Sequence, residues 1–458
     1  MDLTLMPRSQ RWKYLLKLAW PLIVANSFWN IQMTIDRVFL GQYSTEALAA
    51  AMAVGGVFWT PMALLQQTAA YLMTFVAQYF GARENRMIGP AVWQSIYLSV
   101  VGGLLFLGLI PAADFIFDLV GHSEQVKGLE IEYFQAMCYT ALPTALVAAA
   151  SSFFSGLGNT RMVMWINGVG LVANVIFDYL LIFGNLGFPA LGVAGAGYAT
   201  ALATWCSAIY AFYLLFQRKH EAEFAIRSQW MVRWDLMKRY LRYGLPSGMQ
   251  WALEGLAFTI FLIVMGRMNQ GDAALAASGI AVTVMMLAVL PPMGLAQAVS
   301  IQLGQHLGEK RPDLAETFTW SGLQLAVMYI MLVGSTFLMF PEFYLNWFHN
   351  PNQAALWQEV SIIVPYILMF VSLFICFDSM NLIFSFALKG AGDTRFVTLV
   401  ALTVPWPLMV LPTWIVRDWS GAVYWAWAAA SFYIIFQSFI FLARFRGGQW
   451  KSMSVIHD

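Results

Sequence analysis

Polar residues along this chain are rare and bunched, and between the bunches run twelve stretches of 18 or more mostly apolar residues. They fall at roughly 15–40, 47–80, 88–110, 130–155, 161–184, 191–216, 240–267, 273–306, 314–340, 355–388, 395–416 and 420–443, each long enough to cross a hydrocarbon layer as an α-helix. Barrel strands would read as short segments alternating at period two, and these runs do not. A bilayer core offers no water to satisfy backbone groups, so such runs must be helical. The pattern predicts an all-α polytopic membrane protein with twelve transmembrane helices.

The twelve spans form two sets of six. Gly156-Leu157-Gly158-Asn159-Thr160-Arg161 recurs as Gly390-Ala391-Gly392-Asp393-Thr394-Arg395, a shift of 234. Pro21, Thr34 and Gly41 recur as Pro246, Thr259 and Gly266 (225), and Gln78…Gly81 as Gln305…Gly308 (227). An even number of spans per half gives both repeats the same topology, with a pseudo-two-fold axis along the membrane normal. The expected organisation is two six-helix lobes, 1–216 and 239–458, the second ending in a cytoplasmic tail, joined by a cytoplasmic linker, 217–238. The linker's Trp230 and Trp234, with Leu236, Met237 and Tyr240 beyond, read as an interfacial amphipathic helix. Duplicated membrane segments are the usual build of a secondary transporter, whose site lies between the repeats.

With 60% hydrophobic and 11% charged residues, the chain has too little polar surface for a soluble globule of this length. If the N-terminus is inside, 21 of the 25 Lys and Arg lie on the cytoplasmic side, so both termini are expected there, in an inner or plasma membrane. No cleavable leader is expected ahead of the first span. The three cysteines fall within spans without metal spacing. No zinc-protease motif, nucleophile elbow or phosphate loop is present, so neither an enzyme nor a cofactor is expected. The Gly-rich turns follow a helix instead of a strand; a left-handed glycine ending one helix and Asn159 or Asp393 capping the next accounts for them. Small molecules and the lipid bilayer are the expected partners, with no nucleic acid, and the chain is expected to be a monomer.

Candidate chemistry lies with the acids inside the spans: Asp36, Asp178, Glu254 and Asp378. A carboxylate at the bilayer centre costs about 2.5–3.5 kcal/mol on insertion scales, so these side chains should face the interior. The repeat shifts place Phe261, Pro412, Trp29 and Thr144 opposite them. Acids required by the fold alone would have been kept in both halves. Asn174 and Asp178 lie four apart on one helix face. With Asp36 and Thr200 they can form a cage of oxygen ligands suited to a hard cation or a shared proton. Pro21 removes a backbone hydrogen bond from the first span and permits a kink.

The two Gly-x-Gly-Asn/Asp-Thr-Arg turns, Pro21 fifteen residues before Asp36, Gly192-Val193-Ala194-Gly195-Ala196-Gly197-Tyr198-Ala199-Thr200, and Gln302-Leu303-Gly304-Gln305-His306-Leu307-Gly308 resemble the multidrug and toxic compound extrusion (MATE) family over nearly the entire chain. The resemblance implies a two-lobe transporter exporting cationic, amphipathic compounds in exchange for sodium ions or protons by alternating access. It brings Asp36, Asn174, Asp178 and Thr200 together as an N-lobe cation site and makes Pro21 a hinge. Glu254 and Asp378 match acids of the sodium-coupled NorM-type branch, where they would bind substrate or a second cation. The alternative is a lipid or lipid-linked oligosaccharide flippase of a related duplicated fold, which would need several cationic residues inside the spans.

Overall fold

The computed structural model describes residues 7–120, 124–268, 271–348 and 354–457, and among them every regular element is helical. Among these residues eleven helices are long and apolar enough to cross a membrane: α2 (Thr45–Gly81), α3 (Asn85–Asp118), α4 (Val126–Gly156), α5 (Thr160–Leu181), α6 (Gly192–Leu215), α7 (Trp234–Gly266), α8 (Gly271–Gly308), α9 (Pro312–Met339), α10 (Trp357–Ala391), α11 (Thr394–Val416) and α12 (Ala422–Arg446). The twelfth, α1 (Arg8–Tyr43), is 36 residues long, about 54 Å at 1.5 Å per residue. Asn26, Asn30 and Gln32 inside its span set it apart in polarity, not in length. The architecture is the twelve-helix, all-α membrane fold that the hydropathy pattern predicts.

Repeat equivalence extends to individual contacts. A Cβ at Gly41 would meet Leu48 at 3.5 Å, and one at Gly266 would meet Leu275 at 3.5 Å. Thr34 donates to Asn30 O and Thr259 to Gly255 O, each at 2.9 Å. In both repeats the third helix packs on the fourth and the fourth on the sixth. The repeats diverge at their fifth helices. α5 is regular from end to end, whereas α11 carries Pro405, Pro407 and Pro412 and passes through a π-helical turn, Trp406–Val410. That turn occupies the position equivalent to Asn174.

By packing, the chain forms two units that do not follow its linear division at 216 and 239. One comprises Met1–Ile23, Leu253–Leu303 and Arg311–Met453; the other comprises Val24–Ala252, Gly304–Lys310 and Ser454–Asp458. The first part of α1 therefore packs with the later repeat, and the first part of α7 with the earlier one. Both helices change unit within two turns after a proline, Pro21 or Pro246, where the missing amide donor loosens the helix.

Within the second of these units, α2 breaks at Tyr71, and neighbouring helices satisfy the carbonyls before the break. Tyr240 donates to Thr68 O and Ala69 O (2.9 and 2.8 Å), Ser95 to Ala69 O and Ser152 to Ala70 O (both 3.0 Å), as a bilayer requires. Tyr240 and Leu236 are buried, and α7 begins at Trp234 and continues into its span. The expected interfacial helix is therefore no separate element; the linker's own helix is Arg218–Phe224.

The Gly-rich turns have the expected left-handed glycines, Gly158 (φ 78°) and Gly392 (φ 110°). The expected caps do not form. Neither Asn159 nor Asp393 makes a side-chain cap hydrogen bond. Asp393 instead receives Arg444 in a bidentate pair, Nε to Oδ2 at 2.6 Å and Nη2 to Oδ1 at 3.3 Å. A guanidinium fork outcompetes a neutral backbone donor for a carboxylate.

Candidate cation and substrate site

Small residues bring the first polar cluster together. A Cβ at Gly195 would lie 2.4 Å from Leu181 O, and one at Gly197 would lie 2.6 Å from the Ala136 Cβ. α6 therefore lies backbone-to-backbone on the end of α5 and tight against α4, the close approach that glycine permits in membranes. Ser207 on α6 donates to Ile166 O on α5 at 2.9 Å, fixing the register. Thr200 thereby faces the Asn174–Asp178 stripe of α5, and α1 brings Asp36 against both.

All four side chains are buried: Asp36 is 7% exposed, Thr200 4%, and Asn174 and Asp178 are fully covered. The Asn174 amide is oriented so that Nδ2 donates to Asp36 Oδ1 at 2.8 Å and to Asp178 Oδ2 at 3.1 Å, the assignment that satisfies both partners. Asp36 and Asp178 thus share one amide. Thr200 Oγ1 lies 3.5 Å from Asp36 Oδ2 and 3.0 Å from Ala196 O. Tyr133 of α4 is buried close enough to feel both carboxylates. The sequence pattern passed it over, because a tyrosine in an apolar span is as readily a packing residue as a polar one.

The other unit holds a second cluster. Gln437 Nε2, in the middle of α12, donates to Glu254 Oε1 on α7 at 3.0 Å and to Asn381 Oδ1 on α10 at 3.2 Å. Asn381 Nδ2 in turn reaches Asp378 Oδ1, one turn earlier, at 3.3 Å. Glu254 and Asp378, 124 positions apart in sequence, thus join one network, with the buried Gln437 as its bridge. Gln437 and Asn381 were not among the expected residues; Asn381 sits one turn from Asp378, a spacing that would have found it. Lys389 stands in the last turn of α10, buried with its Nζ 4.1 Å from the Phe386 ring centroid. Pro21 sits within α1, whose helix runs through it without a break.

Two six-helix repeats of the same topology, the first with Asp36 and Asp178 buried in mid-span and the second with Glu254 and Asp378 half-buried there, define a membrane protein built as a secondary transporter. The MatE family model matches residues 21–180 and again 246–415, one match per repeat at the 225-residue offset, and the chain belongs to the MatE family. It is similar to the "Probable multidrug resistance protein NorM" of Thermotoga maritima, 26% identical over 450 residues covering 97% of this chain and 94% of that protein. The protein of the same description from Shewanella oneidensis is 28% identical over 398 residues, covering 86% and 84%. Among solved structures, one described as the outward-facing conformation of a multidrug resistance MATE family transporter matches with a TM-score of 0.87 at 21% identity over 97% of each chain. A Pyrococcus furiosus MOP superfamily transporter, described as having a binding pocket of reverse polarity that suggests a different function, matches with a TM-score of 0.87 at 20% identity over 97% of each chain. At such identities the likeness is one of fold.

Proposed function

We propose that the protein is a cation-coupled antiporter that exports cationic, amphipathic compounds by alternating access. Asp36, Asn174, Asp178 and Thr200 bind the coupling ion, while Glu254 and Asp378 attract the substrate's positive charge or hold a second ion. The observation that carries this reading is a pair of buried carboxyls, Asp36 and Asp178, bridged by one amide. Two carboxylates at such range do not both stay ionised without a cation between them. The pair is therefore a device for holding one small positive charge, and it is absent from the equivalent position of the other repeat, where the π turn stands.

Sodium and the proton both suit an all-oxygen cage, and we take the proton: with its Nδ2 assigned toward the carboxyls, Asn174 supports one proton shared between them, whereas a sodium ion would draw the same amide round with its oxygen inward. Inward movement of one positive charge across 100 mV yields about 2.3 kcal/mol before any concentration gradient is counted. Proximity of Pro21 to the point where α1 changes packing unit supports its reading as the hinge. Both termini are assigned to the cytoplasmic side of the cell membrane, and the chain to a monomer. The flippase alternative asks for several cations inside the spans; among the described residues the one buried cation, Lys389, stands in the last turn of α10.

Transport of a fluorescent lipophilic cation into proteoliposomes, under separately imposed proton and sodium gradients, tests this. A proton gradient alone should drive accumulation. Full accumulation on a sodium gradient at equal pH, with none on a proton gradient, would overturn the choice of ion; no accumulation on either would overturn the antiporter.

A further inference from the structure

The linker between α6 and α7 does not hang free below the helices. Gly89 lets it lie directly on α3, since a Cβ there would come within 2.5 Å of both Phe224 O and Ala225 O. One turn further along α3, Trp93 Nε1 donates to Ile226 O at 2.6 Å, and Gln94 Oε1 accepts from Arg233 N at 3.3 Å. Tyr97 OH hydrogen-bonds Trp230 O. Successive linker carbonyls are thus hung on successive turns of a transmembrane helix.

This places the segment in depth. The unbroken α-helical part of α3, Ile88–Leu107, has 20 residues, about 30 Å, which matches the thickness of a hydrocarbon layer. Helical side chains lean toward the N-terminus, so the Tyr97 hydroxyl reaches back to about the level of Trp93. That level is about 8 Å from the start of this part, within the depth to which interfacial side chains enter the boundary between headgroups and acyl chains. Here the linker presents Trp230 (56% exposed), Met231 (68%) and Val232 (44%). Exposed with them are Arg227 and Arg233. Between Gln217 and Tyr243 the chain carries seven Lys and Arg against three acids.

We propose that Gln229–Arg233 is a membrane-interface anchor, its Trp230, Met231 and Val232 entering the leaflet beside α3 while Arg227 and Arg233 pair with the headgroups of anionic phospholipids. An aromatic and apolar tip at headgroup depth is what an interface stabilises, and the excess of basic residues beside it selects anionic lipid. The partner is the lipid itself; a second copy of the chain is the competing occupant.

The experiment uses the full-length protein in proteoliposomes containing phosphatidylglycerol and phosphatidylcholine, with Cys138, Cys206 and Cys376 replaced and a fluorophore on Met231→Cys. Quenching by phospholipid spin-labelled near the headgroup, together with protection from aqueous iodide, is expected. Ser228→Cys, outside the anchor, should stay open to iodide. Iodide quenching at Met231→Cys without lipid quenching would overturn the proposal. So would protection from both quenchers accompanied by energy transfer between labelled protomers. Should replacing the cysteines abolish folding, the same lipid quenchers are applied to the otherwise native chain and its Trp230→Phe variant, whose difference reports Trp230 alone. In either background, Arg233→Gln should lower the preference for spin-labelled anionic over zwitterionic lipid about fivefold. An unchanged preference would remove the headgroup pairing from the proposal.

Discussion

Replacing Gly81 by alanine isolates one consequence of the duplicated sequence. The repeated Gln-x-x-Gly pairs, Gln78 with Gly81 and Gln305 with Gly308, meet each other in space within one packing unit. A Cβ on Gly81 would lie 1.9 Å from Gln305 O, and one on Gly308 would lie 2.2 Å from Gln78 O. The ends of α2 and α8 therefore cross glycine against carbonyl, reciprocally. Since Cβ atoms essentially never come within 3.0 Å of another heavy atom, Gly81→Ala must part the two backbones by about 1.1 Å. The obstacle is main chain, which no rotamer change can move aside, so the cost belongs at the upper end of the usual 1–3 kcal/mol for overpacking. Gln305 Nε2 also donates to Gly156 O at 2.8 Å, and straining that bond adds about 0.5–1.5 kcal/mol. A total loss of about 3–4 kcal/mol should lower the unfolding midpoint by roughly 6–16 °C on the scale of 150–250-residue domains. Unfolding of purified protein in detergent, followed at one fixed scan rate because such transitions are commonly irreversible, measures it. Gly56→Ala is the control, because a Cβ there meets nothing within 4 Å; it should leave the midpoint unchanged or slightly raised. A Gly81→Ala protein as stable as the parent would refute the argument from the crossing.

Three further outcomes follow from other parts of the molecule. Arg444→Gln strips the buried Asp393 of its bidentate partner and should cost about 2 kcal/mol, discounted because the arginine is partly exposed; adding Asp393→Asn should then cost little more, and full additivity in that double-mutant cycle would deny the coupling. His220, ringed by Phe153, Phe154 and Phe224 on the helix between α6 and α7, has its pKa lowered by burial. Its contribution is therefore full above the unfolded value near pH 6.5 and is lost as pH falls through the depressed folded value; His220→Phe should flatten the acid side of the stability profile, and an unchanged slope would contradict this. Leu186→Cys, on the highly exposed turn between α5 and α6, should react with an impermeant thiol reagent from outside the cell and Ser228→Cys should not, the reverse pattern refuting the assigned orientation.

How much of this was legible in the sequence depended on whether a feature is local. A span is a property of 18 or more consecutive residues, and Asn174 and Asp178 disclose a shared face by being four apart. The left-handed glycines of the two turns were legible for the same reason. Gln437 bridges Glu254 from 183 positions away, and Arg444 captures Asp393 across 51; no periodicity within either span encodes such a partner. The C-terminal residues are a sharper case: Val455 N donates to Gln78 Oε1 at 2.9 Å, so Val455 and Ile456 are buried against the earlier repeat, although nothing in five polar and apolar residues announces a docking site. The exchange of helix halves after Pro21 and Pro246 was half legible. The prolines stand out, but which neighbours each half prefers is settled by tertiary packing.

The central claim is that Asp36 and Asp178 carry the coupling ion while Glu254 and Asp378 hold substrate charge. A ligand shifts a conformational equilibrium only through unequal affinity for its states, so removing the true coupling site must abolish ion-driven release of substrate. The most direct measurement is equilibrium binding of a fluorescent lipophilic cation to purified protein, titrated from neutral to acid pH, for the parent, Asp178→Asn and Glu254→Gln. The account predicts that the parent releases the dye on acidification, that Asp178→Asn binds it and no longer releases it, and that Glu254→Gln binds more weakly but still releases it. Acid-driven release that survives unchanged in Asp178→Asn and disappears in Glu254→Gln would contradict the account and reverse the two roles.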